Sequence, residues 1–289
     1  MHLIAARSLA LALLLPAAAL AAQPARSFMD VVYATVHDTP LALDLYLPAN
    51  ERRPPLLVYL HGGAWSSGDR TQYPAFLVER GFAVASVDFR STLTTPFPAN
   101  IHDIKAAIRF LRAKSAEYGY RAERIAVAGV SSGGHLAALV GVTNGDAELE
   151  GSEGEYSDQS SDVQAIVSYY GASDLTTILA QSTPAGLEVR VPALQQLLGA
   201  LPEEVPELAL QASPVFHVDR GDPPLMLLHG DQDVQMPINQ AHELVGAYRK
   251  AGLFVEFMVL NGAGHGGEPF FQGEAVDRVV SFLHRTIGR

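Results

Sequence analysis

The sequence predicts an α/β fold: one mostly parallel sheet of about eight strands, flanked by helices, with a small helical insertion near the site. Two observations lead there. Short apolar runs of strand length recur along the chain, and segments of helical periodicity fall between them. A third bounds the size: 289 residues with 48% hydrophobic and 18% charged side chains is globular composition, enough for one large core.

At the start, Arg7 precedes the apolar run 9–15, and Ala19-Leu20-Ala21 fits a small-residue cleavage site, so residues 1–21 read as a secretory signal peptide. A membrane anchor would need about 20 apolar residues, and Pro16 breaks this shorter run. Residues 22–289 are expected to form a single catalytic domain, exported to the periplasm or beyond and lacking a membrane span.

Residues 31–36 and 41–47 read as an antiparallel pair, because Leu41, Leu43, Leu45 and Leu47 alternate onto one face. Runs at 56–60, 83–89, 125–128, 165–169, 225–228 and 254–260 are apolar, as strands covered on both faces should be. Between them, 100–118 places Ile101, Ile104, Ile108 and Leu111 at helical steps, and 135–142, 238–251 and 274–285 also read as helices. Two stretches interrupt the alternation. Residues 183–214, with five prolines, read as short helices inserted above the sheet, where they would line or cover a site. Residues 145–162 carry seven acids and no base, and read as a solvated loop that lacks the ligand spacing of an EF-hand. Folded toward the mouth of a site, that loop would disfavour anionic substrates.

The net charge of −11 has the wrong sign for a surface that tracks phosphates, so nucleic acid is not an expected partner. The absence of cysteine removes disulfides, thiolate metal sites and cysteine nucleophiles together. No metal or cofactor is expected.

The chemistry-bearing residues follow strand ends. Gly129-Val130-Ser131-Ser132-Gly133 comes after one apolar strand and opens a helix, the context of a nucleophile on a tight strand-to-helix turn. A serine hydroxyl needs a neutral imidazole to take its proton, and the imidazole needs a carboxylate to fix its tautomer. His265, flanked by glycines after the last strand, is the candidate base; His284 and His242 lie on amphipathic helices and His229 at a strand end facing packing. The carboxylate falls in His229-Gly230-Asp231-Gln232-Asp233, with Asp233 preferred and Asp231 the competitor, more suited to stabilising the turn. His61-Gly62-Gly63-Ala64-Trp65 offers backbone donors for an oxyanion, assigned to Gly63, Ala64 and Ser132, with His61 as a loop anchor. Trp65 walls an acyl pocket or sits in the core.

These residues carry a resemblance. HGGAW, the stretch 97–112, GVSSGGHLAAL, Ala212-Ser213-Pro214-Val215, HGDQD followed by Met236-Pro237, and GAGHG occur in order from about Val31 to the end. Together they are similar to α/β-hydrolases of the hormone-sensitive-lipase-like superfamily, closest to its bacterial feruloyl and acetylxylan esterase-like branch. The resemblance implies a carboxylic ester hydrolase with Asp233 as the triad acid, acting on small-molecule or oligomeric esters. Ala64 stands where the family often has glycine or an aromatic, and Ser132 where it commonly has alanine. Two other readings share the fold: a peptidase of prolyl-oligopeptidase type, which normally carries a propeller for which there is no room before Val31, and a non-catalytic binding module, which would not need every element of the triad.

Overall fold

The computed structural model describes residues 25–288; the expected leader, 1–21, lies outside the described residues. Eight strands form one sheet: β1 (Arg26–Val36), β2 (Thr39–Leu47), β3 (Pro55–Leu60), β4 (Ala83–Val87), β5 (Arg121–Val130), β6 (Ala165–Tyr169), β7 (Leu225–Gly230) and β8 (Val255–Leu260). Their order is β1-β2-β4-β3-β5-β6-β7-β8. β1 and β2 pair antiparallel, as do β2 and β4, and every later pairing is parallel. The alternating leucines of β2 all turn inward, each at most 5% exposed, contributing about 2 kcal/mol apiece by burial.

Because β3 is central it is buried along its whole length, and its side chains alternate between two cores. Leu56, Val58 and Leu60 enter the core shared with α2 (Ala99–Ala113) and α4 (Ser132–Val142), whereas Leu57 and Tyr59 enter the one shared with α1 (Ala75–Glu79) and α9 (Gly273–Thr286). The helical reading of 100–118 is broken at Lys114, where α2 gives way to the one-turn α3 (Ser115–Tyr118). α5 (Ile178–Gln181) precedes the insertion, α8 (Asn239–Ala251) packs beside β8, and the insertion holds α6 (Pro184–Leu198) and α7 (Pro206–Gln211). Its main body is thus one 15-residue helix that runs through Pro192. Thr183 caps it, accepting from the Gly186 N–H at 3.0 Å, and Pro184 begins it, where the missing donor costs nothing.

The acid-rich segment 145–162 departs from expectation. It is irregular, but it wraps α2 instead of standing free or reaching the mouth. Glu153 accepts from Arg90 at 3.0 Å, Glu150 pairs with Arg109, and Lys105 bonds Glu150 at 3.3 Å and Thr143 O at 2.6 Å. Arg90 also clamps buried Asp103 through two charge-assisted bonds of 2.8 and 2.6 Å. Two of its seven acids, Glu150 and Glu153, are therefore neutralised in place, and because the loop does not line the cavity that holds Ser131, the condition under which it would disfavour anionic substrates is not met.

Candidate active site

Parallel strands place their carboxyl ends on one edge of the sheet, where crevices form. Here β3 delivers His61–Trp65, β5 delivers Ser131, β6 delivers Tyr170, β7 leads to Asp233 and β8 to His265. Ser131 takes φ 54°, ψ −120°, a strained backbone for a side chain. The flanking glycines permit the turn: a Cβ on Gly129 would strike the Gly133 carbonyl, and one on Gly133 would strike the Leu60 and His61 carbonyls. Gly133→Ala is expected to cost about 3 kcal/mol or more, because only backbone can give way; urea unfolding measures it.

The expected serine, imidazole and carboxylate meet. Ser131 Oγ lies 2.8 Å from His265 Nε2, and His265 Nδ1 lies 2.7 Å from Asp233 Oδ2. With Nδ1–H donating to the carboxylate, Nε2 is free to accept the serine proton. Asp233 is sealed from solvent. Burial alone would raise its pKa, but bonds from His229 and His265 and the Met236 N–H outweigh it and hold the group well below the usual carboxylate range. Its Oδ1 accepts from the Gln235 and Met236 amides at 2.9 and 2.8 Å. Asp231 instead accepts from the Gly262 N–H at 2.7 Å, and Gln232 N–H bonds Ala263 O at 3.0 Å, so the loops bearing carboxylate and imidazole are tied together.

Gly63, Ala64 and Trp65 all have positive φ (117°, 52° and 62°), which turns the loop after β3 sharply beside Ser131. The N–H groups of Gly63, Ala64 and Ser132 have no hydrogen-bond partner among the described residues. Three free donors flank the hydroxyl. Gly63, Ala64, Ser131 and His265 line one cavity of about 410 Å³, together with Tyr170, Val189, Arg190 and Gln235. The insertion thus walls the cavity through α6, as its prolines and position suggested.

Trp65 does not wall it. The indole is 1% exposed, and its Nε1–H donates to His135 Nδ1 at 3.0 Å. That bond fixes His135 as neutral, with Nε2–H donating to Ala212 O at 2.7 Å. Burial, with some help from the Arg190 charge and against the bond to Ala212, pulls its pKa from 6.5 down to about 4. Below pH 6.5 the unfolded chain takes up a proton here that the folded chain refuses, so this contribution is intact above pH 6.5 and is lost as pH falls toward 4. The loss is about 3 kcal/mol. Urea unfolding across that pH range should reveal it, and His135→Gln should remove that part of the slope.

Sequence reasoning missed two residues. His229 is buried at the end of β7 and shares its Nε2–H between Met236 O (2.9 Å) and Asp233 Oδ2 (3.4 Å), holding the carboxylate from behind. Its four-residue spacing from Asp233 was the available signal. Tyr170, at φ 40°, sets its ring edge against His265 with centroids 4.8 Å apart; nothing in its sequence context announced that role.

A serine, imidazole and carboxylate in series at the carboxyl edge of a mostly parallel sheet is the arrangement of an α/β-hydrolase, and the family match and relatives place the chain in the hormone-sensitive-lipase-like kind. The chain belongs to the BD-FAE family, which it matches over residues 43–248. It is 30% identical to a solved truncated carbohydrate esterase from gut microbiota, with TM-score 0.80, covering 91% of this chain and 97% of that one. A thermophilic esterase from Thermogutta terrifontis shares 26% identity at TM-score 0.71, over 88% of this chain and 90% of that one. Esterase LipC of Mycobacterium tuberculosis is 34% identical over 217 residues, 73% of this chain and 53% of that protein. The chain spans about half the length of the curated relatives it matches. Among the described residues no helix is long and apolar enough to cross a membrane.

Proposed function

We propose that this protein is a serine carboxylic ester hydrolase working through an acyl-enzyme on Ser131. The observation that carries the reading is the bonded series Ser131–His265–Asp233 opening on a cavity that three unpartnered amides flank. Similarity to esterases supports the same chemistry.

In this reading His265 Nε2 takes the hydroxyl proton as Ser131 Oγ attacks the ester carbonyl. The oxyanion of the tetrahedral intermediate accepts from the N–H groups of Gly63, Ala64 and Ser132, each donor worth about 10² to 10³ in rate. Asp233 stabilises the imidazolium, which then protonates the departing alcohol. Water enters, gives its proton to His265, and attacks the acyl carbon; the proton passes to Ser131 as the acid leaves. A cavity of about 410 Å³ has room for a small ester beside Ser131.

The N-terminal basic residue, apolar run and cleavage-like site support export of the processed chain. The test compares p-nitrophenyl acetate and butyrate with aminoacyl-anilides on untreated protein, and treats a parallel sample with a fluorophosphonate. Ester turnover by the untreated protein, abolished in the sample that carries the label on Ser131, is the expected result. Preference for the anilides would favour the peptidase reading, and a folded protein that neither labels nor turns over would favour a binding module.

A further inference from the structure

Arg190 lines the same cavity as Ser131 and His265, yet its side chain is only 2% exposed. A buried guanidinium ordinarily finds a carboxylate, because an uncompensated buried charge costs several kcal/mol. Arg109, equally buried, pairs with Glu150. Arg190 makes no ion pair among the described residues, and its Nε and Nη1 have no hydrogen-bond partner. Nη2 has one long bond, 3.4 Å to the carbonyl of Gln235, itself a cavity residue. Beyond that the cation has the face of Trp65, 5.9 Å from the ring centre.

Asp233 is the acid whose field reaches Arg190, and it is already committed. Both its oxygens are taken by His265, His229 and two backbone amides. Burial pulls the Arg190 pKa down and Asp233 only partly offsets it, but a guanidinium stays charged throughout the working pH range. The charge is held rigidly as well. Its helix is capped by Thr183, and Trp65 beneath it is fixed by its bond to His135. A water molecule or a substrate hydroxyl can accept a hydrogen bond here and still leave the charge uncancelled; an anion supplies both.

We propose that Arg190 makes the cavity selective for esters that carry a carboxylate close to the scissile bond, on either the acyl or the alcohol side. The inference rests on ester hydrolysis at Ser131. The ligand carboxylate would exchange with the Gln235 carbonyl at the Nη2 edge and give the guanidinium the partner that the fold withholds.

Two matched pairs of esters test it by proton release in a pH-stat at low salt. Monomethyl succinate against methyl pentanoate places the charge on the acyl side; acetoxyacetate against propyl acetate places it on the alcohol side. The wild type should favour the charged member of at least one pair in kcat/KM, and that pair identifies the side. Arg190→Met should lower the charged-to-neutral ratio by about 10-fold or more. Arg190→Lys, which keeps the charge without the planar fork, should retain part of it. A wild type that favours the neutral member of both pairs overturns the proposal, whether or not the variants fold. So does a folded Arg190→Met that slows charged and neutral esters equally, since that marks general stabilisation of the oxyanion. Failure of the wild type on all four esters would count against ester hydrolysis itself.

Discussion

Ser131→Ala is expected to lower kcat on short-chain esters by about 10⁶ and to abolish labelling by a fluorophosphonate. Every proposed covalent step passes through this oxygen, and the 2.8 Å bond to His265 is its only activation. Alanine fits the elbow without a clash, since the Cβ is already there and the strained φ of 54° is unchanged. The variant should therefore fold with wild-type stability, which separates lost chemistry from lost structure. Turnover undiminished in a folded Ser131→Ala protein would remove the acyl-enzyme mechanism.

Asp233→Asn should cost about 10⁴ in kcat, the scale known for this exchange in a serine protease triad. The amide can no longer accept unambiguously from His265 Nδ1–H, so the proton is no longer held away from Nε2. It also meets the His229 Nε2–H at 3.4 Å and two backbone donors arranged for a carboxylate. Stability should fall too, because a buried amide satisfies that set less well. Asp231→Asn is the contrast: it bonds only the Gly262 N–H on an exposed turn, and its kcat should fall by less than about 10-fold. Equal losses at the two positions would put the acid assignment in doubt.

The contrast marks how far the residues alone could be read. Asp233 and Asp231 sit two apart on the same loop, and the preference for Asp233 rested on Asp231 suiting the turn, with the motif resemblance pointing the same way; the geometry separates them by partner. The central strands were legible because burial on both faces writes itself as uninterrupted apolar runs, and β3 is buried at every position, whereas β8, read from its apolar run as covered on both faces, is an edge strand that is mostly part-exposed. The elbow was legible because backbone crowding restricts residue type there, as Gly129 and Gly133 do. Long-range pairing leaves no such local mark. The acids of 145–162 looked solvated until Arg90, Lys105 and Arg109 arrived from distant segments. Trp65, as the single tryptophan beside an oxyanion loop, read equally as pocket wall or core, and only the His135 acceptor beneath it decides. Arg190 carries no motif and lies mid-helix, so nothing local tells that its charge has no mate.

The bond between Ser131 and His265 closes a span of 134 residues, whereas that between His265 and Asp233 closes only 32. Parallel pairing has to meet its loop-closure entropy before its contacts form, so such spans order slowly. The base arrives on the last strand's loop, after every other part of the site has been made. A nascent chain that has not yet reached residue 265 can hold its hydroxyl, its amides and its carboxylate in sequence, but it has nothing to accept the proton. In time, reactivity is the final thing this molecule acquires.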